Sequence, residues 1–138
     1  MSKWLTDEEF QFIYQNVPRI CVDLIVKHEG KILLTKRTGE PHLHKWHIPG
    51  GAIKFKESIH DAIHRLAKGE LDIDVTRYEF VDVMEFPNEK RNGGDYHSIS
   101  LGYIIQTEGK PSDGEWFSDF PEFTIPQHLT FLKANFSK

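Results

Sequence analysis

The spacing of apolar residues along this chain switches between a helical period and a strand period, and the switches mark out its elements. Thr6 followed by Glu9 has the spacing of a helix N-cap and the acid that reciprocates it, and Leu5, Phe10, Ile13 and Tyr14 form an apolar stripe. A first helix is therefore predicted over Leu5–Val17, stopped by Pro18. Ile20–Val26 is a β-branched run, and after the turn His28-Glu29-Gly30 comes Lys31–Thr35, which predicts two strands joined as a hairpin. A short strand at Trp46-His47-Ile48 leads into the double-glycine turn Gly50-Gly51. Ile59, Ala62, Ile63 and Leu66 fall at i, i+3, i+4 and i+7 and predict a helix over Glu57–Glu70. Two more strands are expected at Tyr78–Phe86 and Ser98–Gln106, with a polar loop at Pro87–Tyr96 between them. Pro126–Phe136 reads as a closing helix with Leu129, Leu132 and Phe136 on one side. Strands interleaved with two or three helices point to a mixed α/β or α+β domain.

Composition narrows the class. A length of 138 residues fits one domain spanning 1–138, and 38% hydrophobic with 28% charged residues excludes wholesale disorder. A net charge of -4 lacks the basic footprint of a nucleic-acid binder. No apolar run approaches the ~20 residues that span a bilayer, so no membrane partner is expected. The acidic start MSKWLTDEEF has no apolar core of a secretory signal. The single Cys21 excludes an internal disulfide and a multi-cysteine zinc site, which agrees with a reducing, cytoplasmic setting.

The chemistry-bearing stretch is Gly50 to Ile73. A glycine pair allows close backbone approach to a ligand, and Glu57 at a helix start suits the helix dipole. Glu70 continues the stripe of Ile59, Ile63 and Leu66. An inward carboxylate requires a cation, from the protein or from a bound divalent metal; a carboxylate at a frayed helix end is simply solvated. Asp23 interrupts a β-branched strand. His60 and His64 have an i,i+4 metal-ligand spacing without an adjacent acid, which favours a solvated face. His42, His44 and His47 cluster around Trp46, where one of them lines a substrate mouth or all are loop residues.

Gly51, Glu57, Arg65 and Glu70 also stand in the register of the Nudix signature: glycine, five residues, glutamate, seven residues, then Arg-Glu-apolar-x-Glu-Glu-x-Gly-apolar. The chain resembles that hydrolase family with three changes. Leu66 and Gly69 replace its other two acids, and Asp72 replaces its late glycine. Within the family it is most similar to the GDP-mannose mannosyl hydrolase branch, which also has leucine after the signature arginine. The likeness extends to Glu8-Glu9-Phe10, Pro18, Asp23, Leu33-Leu34-x-Lys36-Arg37-Thr38 and Trp46-x-x-Pro49-Gly50-Gly51.

The resemblance implies a Nudix-type α/β/α sandwich around a mixed β-sheet and a homodimer. It also implies one Mg²⁺, a nucleotide-sugar substrate, and water attack at the anomeric carbon with a nucleoside diphosphate leaving. By the same resemblance Glu70 and the Gly50 carbonyl are metal ligands. Glu57 is the signature acid of that group, which usually pairs with the signature arginine. Arg37 assists the leaving group, with Lys36 and Trp46 beside it for substrate binding. Arg65 orients the helix or touches phosphate, and Asp23 lies near the sugar. The branch's second arginine is Ala52 here, its expected tyrosine is Ser98, and its late-loop Gln-His pair has no counterpart around Gly109–Glu115. The general base is therefore left among His97, Glu85, Asp113 and Glu115. The competing readings are a pyrophosphohydrolase that cleaves P–O, and a non-catalytic Nudix module that binds a nucleotide.

Overall fold

The computed structural model describes residues 4–39, 42–91 and 94–136. Helix α1 (Asp7–Tyr14) is shorter than predicted at both ends. Its N-cap is the expected one: the Thr6 hydroxyl accepts from the Glu9 amide, and the Glu9 carboxylate accepts from the Thr6 amide. Strands β1 (Arg19–His28) and β2 (Lys31–Lys36) form the predicted hairpin. Its two turn residues, Glu29 and Gly30, both have positive φ, the condition for a turn that matches the strands' twist. Strands β3 (Trp46–His47) and β4 (Gly50–Ala52) follow, then α2 (Ile59–Leu71), β5 (Arg77–Arg91), β6 (Gly94–Gln106), β7 (Glu115–Phe117) and α3 (Pro126–Phe136).

The sheet runs β3-β2-β1-β6-β5, with β4 paired to β1 and β7 to β2. β1 and β6 are parallel and the other pairs antiparallel, so the sheet is mixed. Both faces are covered, which is why Cys21 to Val26 are all buried. Val22, Leu24 and Val26 pack against Ala62, Ile63, Leu66, Ala67 and Leu71 of α2. Ile25, Ile32 and Leu34 pack with Phe131 and Leu132 of α3. This is the α/β/α sandwich expected. No described helix is long and apolar enough to cross a membrane.

Four expectations are corrected. Pro87–Tyr96 is not a loop: β5 runs on to Arg91 and β6 starts at Gly94, because the strands pair through Glu89↔Tyr96 and Lys90↔Asp95. The signature helix begins at Ile59, since the Ser58 hydroxyl caps it by accepting from the Asp61 amide; Glu57 therefore precedes the helix. Ile59 is exposed, and the buried stripe runs from Ala62 to Leu71. On α3 the innermost positions are His128, Phe131 and Leu132, while Leu129 is half-buried.

Asp72, in place of the signature's late glycine, ends α2 in the left-handed conformation at φ 52°. An L-residue there costs ~1–2 kcal/mol, whereas glycine gives back ~0.4–1 kcal/mol through unfolded-chain entropy. Asp72→Gly should therefore raise stability by about 0.5–1 kcal/mol in urea unfolding. A lowered midpoint would show that the 3.6 Å contact from Lys68 to Asp72 outweighs the backbone term.

Candidate active site

The site is a cavity of about 90 Å³ on the α3 side of the sheet. Side chains alternate along a strand, so while Val22 and Leu24 face α2, Arg19, Cys21 and Asp23 face the cavity. The parallel register sets Ser98 beside Arg19 and Ser100 beside Cys21. β5 contributes Phe86 and Glu89, and a bulge between them is what turns Glu89 to the same face. There the Ser98 hydroxyl donates to Glu89 Oε1 at 3.1 Å. His47, Ile48, Ile125 and His128 wall the cavity, and Arg37, His42, Gly50 and Gly51 complete the lining.

Asp23 is 6% exposed. Burial raises its pKa to about 7, with Glu89 pushing the same way, against the Ser100 hydrogen bond and the Arg19 charge. Its Oδ2 has no hydrogen-bond partner. His128 Nε2 lies 3.6 Å away, but burial pushes the His128 pKa down to about 3, so the two are not an ion pair at neutral pH. The Ile48 amide donates to His128 Nδ1 at 2.9 Å. The neighbouring His47 ring stacks on it at 6.2 Å and an interplanar angle of 11°. His47 Nδ1 donates to the Thr35 carbonyl at 2.8 Å, which leaves Nε2 of the neutral ring unprotonated. Burial holds the His47 pKa below its ordinary value, assisted by the Arg37 charge.

The glycine pair fixes the edge of the cavity. A Cβ at Gly50 would overlap the Val22 carbonyl oxygen and Asp23 Oδ1, and one at Gly51 would come within 2.7 Å of Leu66 Cδ2. Leu66, where the signature has an acid, thus packs on Gly51. Arg65 clamps the stretch from behind: Nε and Nη2 donate to Glu57 Oε2 and Oε1 at 2.7 and 2.8 Å, and Nη2 also donates to the Ala52 carbonyl at 2.8 Å. Glu57 Oε1 accepts from the Lys54 amide too. Both Glu57 oxygens thus accept hydrogen bonds in the clamp, and Glu57 lies outside the cavity lining. Arg65 lies outside the cavity lining.

Glu70 is exposed rather than inward, because the buried stripe passes beside it to Leu71. The surrounding protein nonetheless raises its carboxyl pKa, Asp113 raises it further, and Arg37 and Arg65 oppose them. A carboxylate whose charge is opposed by that of a second carboxylate is a fitting ligand for a divalent cation. Among the described residues no group of three or more His, Cys, Asp and Glu is arranged to hold a metal. That sparse donor set suits Mg²⁺, which uses one or two carboxylates plus substrate phosphates.

Lys36 and Trp46 are not in the cavity lining: Lys36 Nζ sits 5.1 Å over the Trp46 ring, which meets Phe117 edge-on. His97 and Glu85 line other surface hollows, and Glu115 is exposed on β7. None of the four base candidates lines the cavity, but the Asp113 charge favours the protonated forms of Glu70 and His47. The His60 and His64 rings meet at a tilt beside Tyr78, outside the cavity lining. The sequence reading missed His128, Arg19, Ser100 and the role of Glu89. The signal for His128 was present: it sits three and four residues before Phe131 and Leu132 on one helix face.

The NUDIX domain family model matches residues 17–132. The low-salt glycan biosynthesis protein Agl8 of Haloferax volcanii is 43% identical over 72 residues, covering 52% of this chain and 46% of that protein. An ADP-ribose pyrophosphatase of Methanocaldococcus jannaschii is 29% identical over 92 residues, covering 67% and 53%. The match thus spans about half the length of each of these relatives. The crystal structure of a MutT NUDIX hydrolase from Burkholderia pseudomallei superposes with a TM-score of 0.74 at 25% identity, covering 85% of this chain and 97% of that one.

The Asp23 pKa sets a pH test. A carboxyl whose folded pKa lies above its unfolded value stabilises the fold while protonated, and that stability is lost as pH rises from ~4 through about 7. His128, depressed, works oppositely below its unfolded pKa of ~6.5, in parent and variant alike. The stability of Asp23→Asn relative to the parent should therefore rise by roughly 2 kcal/mol between pH 5 and pH 8 in the metal-free protein. Parallel pH profiles in urea unfolding would show that Asp23 is ionised without penalty.

Proposed function

Because the chain belongs to the NUDIX domain family, we propose that it is a Mg²⁺-dependent hydrolase of a nucleoside diphosphate sugar of the GDP-mannose kind. Water attacks the anomeric carbon, and the sugar and the nucleoside diphosphate are released. The observation that carries this reading is the thin supply of carboxylates. Leu66 packs on Gly51, Glu57 is held by Arg65, and Glu70 remains, with the Asp113 charge acting on it. A bound Mg²⁺ would neutralise charge on the departing diphosphate, which suits carbon–oxygen cleavage better than a metal cluster over phosphorus.

Glu70 and the Gly50 carbonyl would hold the ion. Arg37, in the cavity lining, meets the leaving diphosphate, and Arg65 keeps the Gly50–Ala52 strand in place. His47 takes the proton of the attacking water at Nε2, the nitrogen its Thr35 bond leaves free to accept. Asp23 faces the sugar. The Haloferax relative's name, a glycan biosynthesis protein, supports a nucleotide-sugar substrate. The second reading, cleavage of P–O, draws on the Methanocaldococcus relative named for ADP-ribose and on Asp113 as a second carboxylate beside Glu70.

Hydrolysis of GDP-mannose with Mg²⁺ in ¹⁸O-water should place label on the free sugar and none on the nucleoside diphosphate. Label on phosphate would replace this reading by the pyrophosphohydrolase one. Tight binding without turnover would leave a non-catalytic nucleotide-binding module.

A further inference from the structure

The cavity floor contains polar groups that its own folding leaves unmatched. Asp23 Oδ2 and Arg19 Nε are buried without a hydrogen-bond partner. Both lie on the same face of β1, four residues apart. An unmatched buried polar atom costs stability, so its persistence at a cavity wall points to a ligand atom that completes it. Opposite Asp23 stands His128, 5% exposed. Its Nδ1 accepts from the Ile48 amide, so the proton of the neutral ring sits on Nε2. That N–H is 3.6 Å from Asp23 Oδ2, too far for a direct hydrogen bond.

We propose that His128, Asp23 and Arg19 form a recognition site for a sugar hydroxyl, with His128 Nε2–H donating to the hydroxyl oxygen and Asp23 Oδ2 accepting a hydrogen bond from the hydroxyl. This rests on the nucleotide-sugar reading above and names the residues that select the sugar. The chemistry is selective because the two facing groups make opposite demands. A hydroxyl accepts and donates through one oxygen. A phosphate oxygen only accepts and would meet a carboxylate. An ammonium or amide N–H only donates and would leave His128 Nε2–H unmet. Arg19 Nε supplies a further donor, for a second oxygen of the same sugar. His128 binds a hydroxyl and through it orients the sugar ring; the proton transfer belongs elsewhere.

His128→Asn separates this role from folding. The asparagine carbonyl can occupy the place of Nδ1 and accept from the Ile48 amide, while nothing remains at Nε2. Calorimetric titration would compare GDP, GDP-mannose and its mono-deoxy analogues, with Ca²⁺ replacing Mg²⁺ to prevent turnover. The parent should bind GDP-mannose on the order of ten- to a hundredfold more tightly than GDP, and one deoxy analogue should lose that advantage. In His128→Asn the advantage should vanish while GDP affinity stays within about twofold. ¹⁵N spectra of the imidazole nitrogens should show His128 neutral and protonated at Nε2 between pH 5 and 8. Undiminished discrimination in His128→Asn, or a proton on Nδ1, overturns the hydroxyl site alone. Equal parent affinity for GDP and GDP-mannose overturns it and leaves the nucleotide half of the functional reading standing. Failure of the parent to bind either compound brings down the functional reading, and the hydroxyl site with it.

Discussion

Gly50 lies so close to β1 that any side chain there would overlap the Val22 carbonyl oxygen and Asp23 Oδ1. The register Asp23↔Gly50 is what brings them together, and Gly51 is pressed in turn against Leu66. Three parts of the molecule therefore meet without slack: the central strand, the β4 segment and the signature helix. The Arg65 clamp holds that meeting from the other side, through Glu57 and the Ala52 carbonyl. The proposed metal-binding carbonyl, the sugar-facing carboxylate and the helix bearing Glu70 are positioned by one close contact. Displacing any of them by an ångström displaces the others.

The same contact explains the electrostatics of the floor. Gly50 seals one side of Asp23 and the sheet and α3 seal the rest, so the carboxyl is raised to about 7. A fold selected for stability alone would place an apolar residue there. The neighbouring histidines are also held neutral by burial, each with its proton assigned by one backbone partner: Ile48 for His128 and Thr35 for His47. The cavity thus combines a fixed donor at His128, a carboxyl that accepts once ionised, and a weakly basic nitrogen. Such preorganised polar groups cost folding energy and favour a bound substrate over an empty site.

Much of this was legible in the sequence, for local reasons. The capping box, the hairpin turn and the helix period all rest on residues close in sequence. The register of Gly51, Glu57, Arg65 and Glu70 located the signature, and the clamp between Glu57 and Arg65 followed from it. What escaped depended on pairing between distant segments. A bulge after Phe86 turns Glu89 to the cavity, so a stretch rich in Asn, Gly and charge read as a loop when it is two strands. His128 acquires its role from Ile48, eighty residues away. Glu70 looked inward because helical phase places it on the stripe, but phase does not say where the sheet beneath the helix stops.

The central claim is that the approach of Gly50 to β1 sets the geometry of the metal-binding edge. Mg²⁺ titration of Gly50→Ala, alongside its thermal unfolding, tests this most directly. The account predicts a folded protein whose Mg²⁺ affinity in the presence of GDP is weakened about tenfold or more, because the added methyl forces the carbonyl away from its place. A folded variant with the parent's Mg²⁺ affinity would contradict it.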